Sequence, residues 1–360
     1  MAKKRSAASV RAIAEKAGLS LGAVSMAMRG DPSIPEKTRE RVKKIADELG
    51  YRRNARVSEL MALLKQQSLS DGHEVLAFVL PVKKTDSGME HYIRTSIQHA
   101  KKRAEERGYG IEVFELEEKG ITPQRLGKII EARGIRAALF GPHREVTGAV
   151  AINPDKLAMV ALGYSVVEPP MHRVVIDHYR NIHLAMAQLT ARGYKKIGLM
   201  LEQETDSRAR DLITSGFWDV GRPFPKSQRI EPYVGPPEKA VIKKWRTKTK
   251  PDAIIGYGGR WYELLQEIEA FDAESLGYVF LDHFEVEGVS AAGVPYLNGM
   301  LTEVAVDQLV SALQVNEFGV PAYPRTTSVP CAWQDGPTVR ELSAPVVDPL
   351  FFLPIGSATK

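Results

Sequence analysis

Between Val10 and Leu49 apolar side chains recur three and four positions apart, the spacing of helical faces. Val10, Ile13, Ala14 and Ala17 fall on one such face, Val24, Ala27 and Met28 on a second, and Val42, Ile45, Ala46 and Leu49 on a third. Ser9 and Ser20 stand where N-caps belong, Gly18 and Gly50 where helices stop, and Pro35 where one opens. Three short helices are therefore predicted, the first two joined by the turn Gly18-Leu19-Ser20. So short a turn crosses two helices steeply, as in a helix-turn-helix. The next stretch, "RNARVSELMALLKQQ", places Val57, Leu60, Met61 and Leu64 on one side of a fourth helix, too short and isolated to be stable alone. A second chain or a nucleic-acid groove would complete it.

From Val75 the pattern changes. Short apolar runs, among them "VLAFVLP", "IEVFEL", "RAALFG", "RVVID", "KIGLML", "DAIIGY" and "LGYVFLD", alternate with helical segments such as "HYIRTSIQHAKKRAEERGYG" and "NIHLAMAQLTARGYK". Strands that are apolar on both faces and separated by helices predict parallel sheets covered on both sides. At this length two doubly wound lobes are expected. The predicted organisation is an all-α head at 1–50, a hinge helix at 51–66, a linker at 67–74, a two-lobed α/β core at 75–336 and a tail at 337–360.

Charge separates these parts. Residues 1–66 hold 15 Lys and Arg against 7 Asp and Glu, a surplus of +8, although the whole 360-residue chain carries only +5. A basic, patterned head on a slightly acidic body points to a polyanion at the head. One cysteine, Cys331, leaves no intrachain disulfide and no cysteine-based zinc site. There is no apolar run of membrane-spanning length and no signal-peptide core near the basic start, so a cytoplasmic protein without membrane contact is expected.

The segments "SVRAIAEKAGLSLGAVS" and "IPEKTRERVKKIADELGYRRN", with the spacing onward to Leu60, resemble the LacI-type bacterial transcription regulators. The resemblance extends more loosely into "HRVVIDHYRNIHLAMAQLTARGYKKIGLM", "KPDAIIGYGGRWYELLQEI" and "GYVFLDHFEVEG". It implies a periplasmic-binding-protein-like core whose chain passes between lobes three times, here near 174, 295 and 330. It also implies a homodimer on a roughly palindromic operator, with Leu60 of each hinge helix wedged into the minor groove. Ser9, Ser20, Ser25 and Thr38, with Tyr51 and Asn54, are then DNA contacts, the hydroxyls serving phosphates. Leu21, Gly22 and Met26 stand where the family usually carries base-reading side chains. None of the three can make bidentate hydrogen bonds, which leaves apolar contact and close backbone approach, with Ser25 and Arg29 as the polar candidates.

In the body the resemblance implies a small effector between the lobes, of carbohydrate type. Asp282 ends the apolar run "YVFL" and aligns with an aspartate that in the family accepts hydrogen bonds from sugar hydroxyls; capping of the following loop is the alternative. The family's effector-binding arginine would fall at Ile213, and Arg210 is the nearby candidate. Trp261 is placed either against a sugar ring or in the core. Tyr164, Tyr296 and Asn298 lie near expected strand ends or passages. Gly258 and Gly259 replace the Asn-Asp that many members carry after the corresponding strand. The glycines of "IIGYGGRW" lack dinucleotide-binding spacing, and the pairs Asp177-His178 and Asp282-His283 come without a nucleophile or metal motif, so neither catalysis nor a cofactor is expected. The expected function is a transcription regulator, most simply a repressor. The second reading is a soluble sugar-sensing protein with little DNA specificity.

Because the recognition helix offers few polar groups, Leu60→Ala is expected to weaken operator affinity more than Met26→Ala in a binding titration. The reverse order would show that direct reading by that helix dominates.

Overall fold

The computed structural model describes residues 10–28, 30–51, 74–80, 90–116, 122–143, 147–150, 152–268, 275–282 and 291–342. Ser9, Arg29, Asn54 and Leu60, nearly all of the expected hinge and linker, and the tail from 343 onward lie outside them.

The head is three helices, α1 (Val10–Ala17), α2 (Leu21–Met28) and α3 (Glu36–Glu48). Each turns its apolar stripe inward: Ile13, Ala14 and Ala17 meet Val24 and Ala27 of α2 and Val42, Ile45 and Ala46 of α3. Gly18 and Gly50 both take positive φ, +65° and +66°, where a Cβ would be strained. Ser20 caps α2 by accepting a hydrogen bond from the Ala23 amide at 3.1 Å. Lys16 of α1 pairs with Glu48 of α3 at 2.7 Å, but both are half exposed and the pair adds little. Apolar burial holds this head together.

The body begins with β1 (Glu74–Leu80), α4 (Glu90–Glu106), β2 (Tyr109–Glu115), α5 (Pro123–Ala132) and β3 (Ala137–Phe140). After a two-stranded ribbon of β4 (Gly148–Ala149) and β6 (Val166–Glu168), with β5 (Ala158–Leu162) between them in sequence, β7 (His172–Ile176) follows. The chain then leaves for a second set of elements: α6 (His178–Ala191), β8 (Ile197–Leu201), α7 (Gln203–Arg208), α8 (Leu212–Gly221), β9 (Tyr233–Val234), α9 (Lys239–Thr249), β10 (Ala253–Tyr257), α10 (Gly259–Ile268), β11 (Gly277–Leu281) and β12 (Gly293–Val294). It returns with α11 (Asn298–Val315), which packs on α4, β3, β5 and β7, and with β13 (Thr326–Val329).

Two parallel sheets result, ordered β13-β7-β5-β3-β1-β2 and β12-β11-β10-β8-β9. Every residue of β3, β5, β8 and β11 is buried, as helices on both faces require. Val174 sits inside β7, opposite Thr327, and the first passage between sheets, expected near 174, begins after Ile176. The last described stretch returns to the second sheet. There the Thr338 carbonyl accepts from the Tyr278 amide at 2.7 Å. Among the described residues no helix is long and apolar enough to cross a membrane.

The head core is small, so one large deletion should undo it. Ile13→Ala, at a fully buried position, is expected to cost about 2–5 kcal/mol. Calorimetry should show loss of the head transition and unchanged unfolding of the body.

Candidate nucleic-acid interface and interlobe site

Two surfaces collect the candidate residues. On the head, the outward side of α2 presents Leu21 and Gly22 fully and Ser25 and Met26 partly, while Val24 and Ala27 point into the core. Ser20 lies at the exposed start of the same helix. Thr38, in the first turn of α3, is half-buried. Tyr51 packs against the head core, and its amide donates to the Ala46 carbonyl at 2.9 Å, so its ring also anchors the end of α3. Exposed Lys37, Lys43 and Lys44 on α3 add positive charge to the head.

The second surface lies where the carboxyl ends of the strands of both sheets meet. Asp282 directly follows β11, in left-handed backbone at φ +62° and only 7% exposed. Tyr257, the last residue of the neighbouring β10, donates a hydrogen bond to its carboxylate. Tyr92, at the start of α4 on the other lobe, is close enough for the Asp282 charge to act on its hydroxyl. Tyr296, in the second passage between sheets, meets the Tyr257 ring edge to face at 5.7 Å and the His178 ring at 5.4 Å. His178 Nδ1 and the Tyr296 hydroxyl are 2.9 Å apart.

Desolvation governs the protonation of this cluster. Burial pushes the Asp282 carboxyl up to about 7, against the smaller downward effect of the Tyr257 hydrogen bond. Burial pushes His178 down to about 4, so near neutrality its imidazole is uncharged. Burial, with Asp282 nearby, raises the Tyr92, Tyr257 and Tyr296 hydroxyls, which stay protonated and able to donate. The site thus offers hydroxyl donors and a carboxyl that changes charge near neutrality, set among aromatic rings. That set suits a neutral, hydroxyl-bearing ligand better than an anion. Among the described residues no cluster of His, Cys, Asp and Glu is built to hold a metal.

Two arginines cross the gap to backbone carbonyls. Arg208 donates to the His143 carbonyl at 2.9 Å while holding Glu204, and Arg210, at φ +58°, donates to the Tyr164 carbonyl at 3.3 Å. Tyr164 and Arg210 therefore lie on opposite rims, and Arg173 sits 6.0 Å from the Tyr164 ring. Asn298 opens α11, two residues after Tyr296, and is half-buried. Trp261 is elsewhere: only 2% exposed, it packs 5.7 Å from Tyr233 in the core of the second lobe and cannot stack on a ligand between the lobes. Gly258 provides no phosphate cradle, because its amide donates to the Leu281 carbonyl at 3.1 Å. Sequence reasoning missed Tyr257 and Tyr92, and weighed His178 only as half of an Asp-His pair. Tyr257 ends an apolar strand run just as Asp282 follows one, a signal that was available. Nothing in the local pattern marked Tyr92, which arrives from a helix start on the other lobe.

Residues 9–54 match the model of a family described as bacterial regulatory proteins, lacI family. Among curated proteins none matches the sequence. Solved structures of similar fold include the transcriptional regulator CelR in complex with cellobiose, 16% identical with a TM-score of 0.53, covering 92% of this chain and 99% of that one. They include the Lac repressor dimer bound to operator and the anti-inducer ONPF, at 15% identity and a TM-score of 0.55 over 92% of this chain and 99% of that one. A periplasmic binding protein/LacI transcriptional regulator from Alkaliphilus metalliredigens QYMF, complexed with D-xylulofuranose, covers 74% of this chain and 100% of its own at 12% identity and a TM-score of 0.54. At such identities the likeness is one of fold: a LacI-type helix-turn-helix head on a periplasmic-binding-protein-like body.

The Asp282 shift has a sign that stability measurements can read. Between its ordinary value of 3.8 and about 7 the folded state holds a proton that the unfolded state has released. Stability therefore falls as pH rises through that window and is flat in this group's contribution above it. Asp282→Asn should remove this slope from denaturant midpoints measured between pH 4 and 8; an unchanged slope would mean the carboxyl titrates normally.

Proposed function

We propose that the chain is a homodimeric, sequence-specific DNA-binding transcription regulator, most simply a repressor, whose operator affinity is set by a hydroxylated small molecule of carbohydrate type held between the lobes. The observation that carries this reading is one chain holding both a LacI-type head and a desolvated carboxyl, Asp282, ringed by Tyr257, Tyr92 and Tyr296 where the strand ends of two lobes meet. In solved structures of the same fold, one regulator is complexed with cellobiose and another is a dimer bound to operator. No catalytic step is assigned to the chain, and its place is the cytoplasm, where the DNA is.

The mechanism follows from linkage. Tyr92 belongs to one lobe and Asp282 and Tyr257 to the other, so a ligand bridging them binds better to one lobe arrangement than to its alternatives. In a dimer, lobe orientation sets the distance between heads and hence the fit to two half-sites. A shift in DNA affinity can be no larger than the ligand's difference in affinity for the two arrangements, and a few kcal/mol is enough. Tyr164, Arg210 and Asn298 are assigned to the rim of this site. Ser9, Ser20, Ser25, Thr38, Tyr51 and Asn54 are assigned to phosphate and sugar contacts, Arg29 to a base or phosphate, and Leu60 to the minor groove.

Full-length protein incubated with random duplexes should enrich a palindromic site, and its affinity should fall steeply with salt, by roughly 0.9 log units per log unit for each phosphate neutralised. A sugar panel added to that complex should contain a compound that changes its affinity. Asp282→Ala should weaken the compound's binding by about tenfold or more, since hydrogen bonds to charged groups contribute about 1.5–3 kcal/mol, and leave operator affinity without ligand unchanged. Enrichment of no site would refute the regulator reading; enrichment with no sugar response would refute the effector class.

A further inference from the structure

The solvent side of α2 carries an unusual surface for a helix that meets base edges. Leu21 is 54% exposed at its first position, and a Cβ on Gly22 would meet nothing nearer than the Ser20 hydroxyl at 3.9 Å. Met26 lies one turn after Gly22 on the same face, beside Ser25, and Leu21 stands at the helix start next to that face. Leu21 is not part of the head core, to which this helix contributes Val24 and Ala27, with Met28 packed against them. Leu21, Gly22 and Met26 have no side-chain donor or acceptor with which to take guanine or adenine in two hydrogen bonds. The one apolar feature that the major groove displays to such a surface is the C5-methyl group of thymine. The surplus of +8 over residues 1–66 supplies the attraction that brings this apolar patch against a polyanion.

We propose that the chain reads its half-site through thymine methyl groups, with Leu21 and Met26 covering the methyls and Gly22 letting the start of the helix lie close to the base edges. This rests on the regulator reading above and specifies what that helix recognises. A methyl in the groove is hydrated in free DNA, and covering it with Leu21 removes two apolar surfaces from water at once. Discrimination then comes from burial, and the cytosine edge, which lacks the methyl, is rejected by the loss of that burial.

The test deletes the methyl from the DNA and leaves the protein intact. In the enriched duplex each thymine is replaced singly by deoxyuridine, which keeps pairing and removes the methyl. Binding of the full-length protein should weaken about fourfold at one or two positions in each half-site, the equivalent of ~0.8 kcal/mol for a buried carbon. At those positions 5-methylcytosine should bind better than cytosine by a similar factor. Leu21→Ala, at an exposed site, should erase the penalty at one of them, the signature of direct coupling. A palindrome that is enriched but indifferent to every deoxyuridine overturns the proposal and leaves the regulator reading standing. So does a penalty that persists undiminished in both Leu21→Ala and Met26→Ala. Failure to enrich any site removes the regulator reading itself, and this proposal with it.

Discussion

A parallel sheet needs its strands joined by crossovers, and the crossover helices cover both of its faces. In each lobe of this chain that constraint leaves only the strand ends open to a ligand. Three polar groups of the interlobe site sit there: Tyr257 ends β10, Asp282 follows β11, and Tyr164 follows β5. Asp282 is buried where the carboxyl ends of the two sheets meet, and its desolvation holds the carboxyl protonated to higher pH.

The passages between sheets are braced by polar contacts as well as by packing. Arg180 and Asn181, just inside α6, hold the backbone of Cys331 just beyond β13: the guanidinium donates to its carbonyl at 3.1 Å, and the Asn181 side-chain oxygen accepts from its amide at 3.2 Å. These contacts tie the first passage to the third. Away from them, Arg208 and Arg210 reach across to the His143 and Tyr164 carbonyls of the other lobe, at 2.9 and 3.3 Å.

The architecture was legible because its signals are local. Helical periodicity, caps and two glycines at positive φ specify the head, and strand runs apolar on both faces specify parallel sheets. The interlobe cluster was only half legible. Asp282 and Tyr296 follow from strand ends and order, but Tyr92 comes from a helix of the other lobe, and no spacing in the sequence brings it to Asp282. Trp261 shows the opposite failure. An aromatic at a helix start has the same local look whether it faces a cleft or a core, and here Tyr233, from a strand end about thirty residues earlier, makes it core.

The two surfaces differ in how they use polarity, and the difference has a physical basis. Between the lobes a polar group is worth most when dry, so a few well-placed ones, Asp282 and the tyrosine hydroxyls, would suffice to orient the proposed ligand. On the proposed reading, the phosphate backbone supplies affinity at the head through charge spread over several helices, and the reading helix itself is free to be apolar. Leu21 and Gly22 would then discriminate less per contact than an arginine on guanine. A head of this kind therefore depends on symmetry, since two weakly discriminating half-sites multiply their preferences only when both are engaged at once. In the proposed dimer, a movement between lobes that breaks simultaneous engagement forfeits the gain that the second head draws from its high effective concentration.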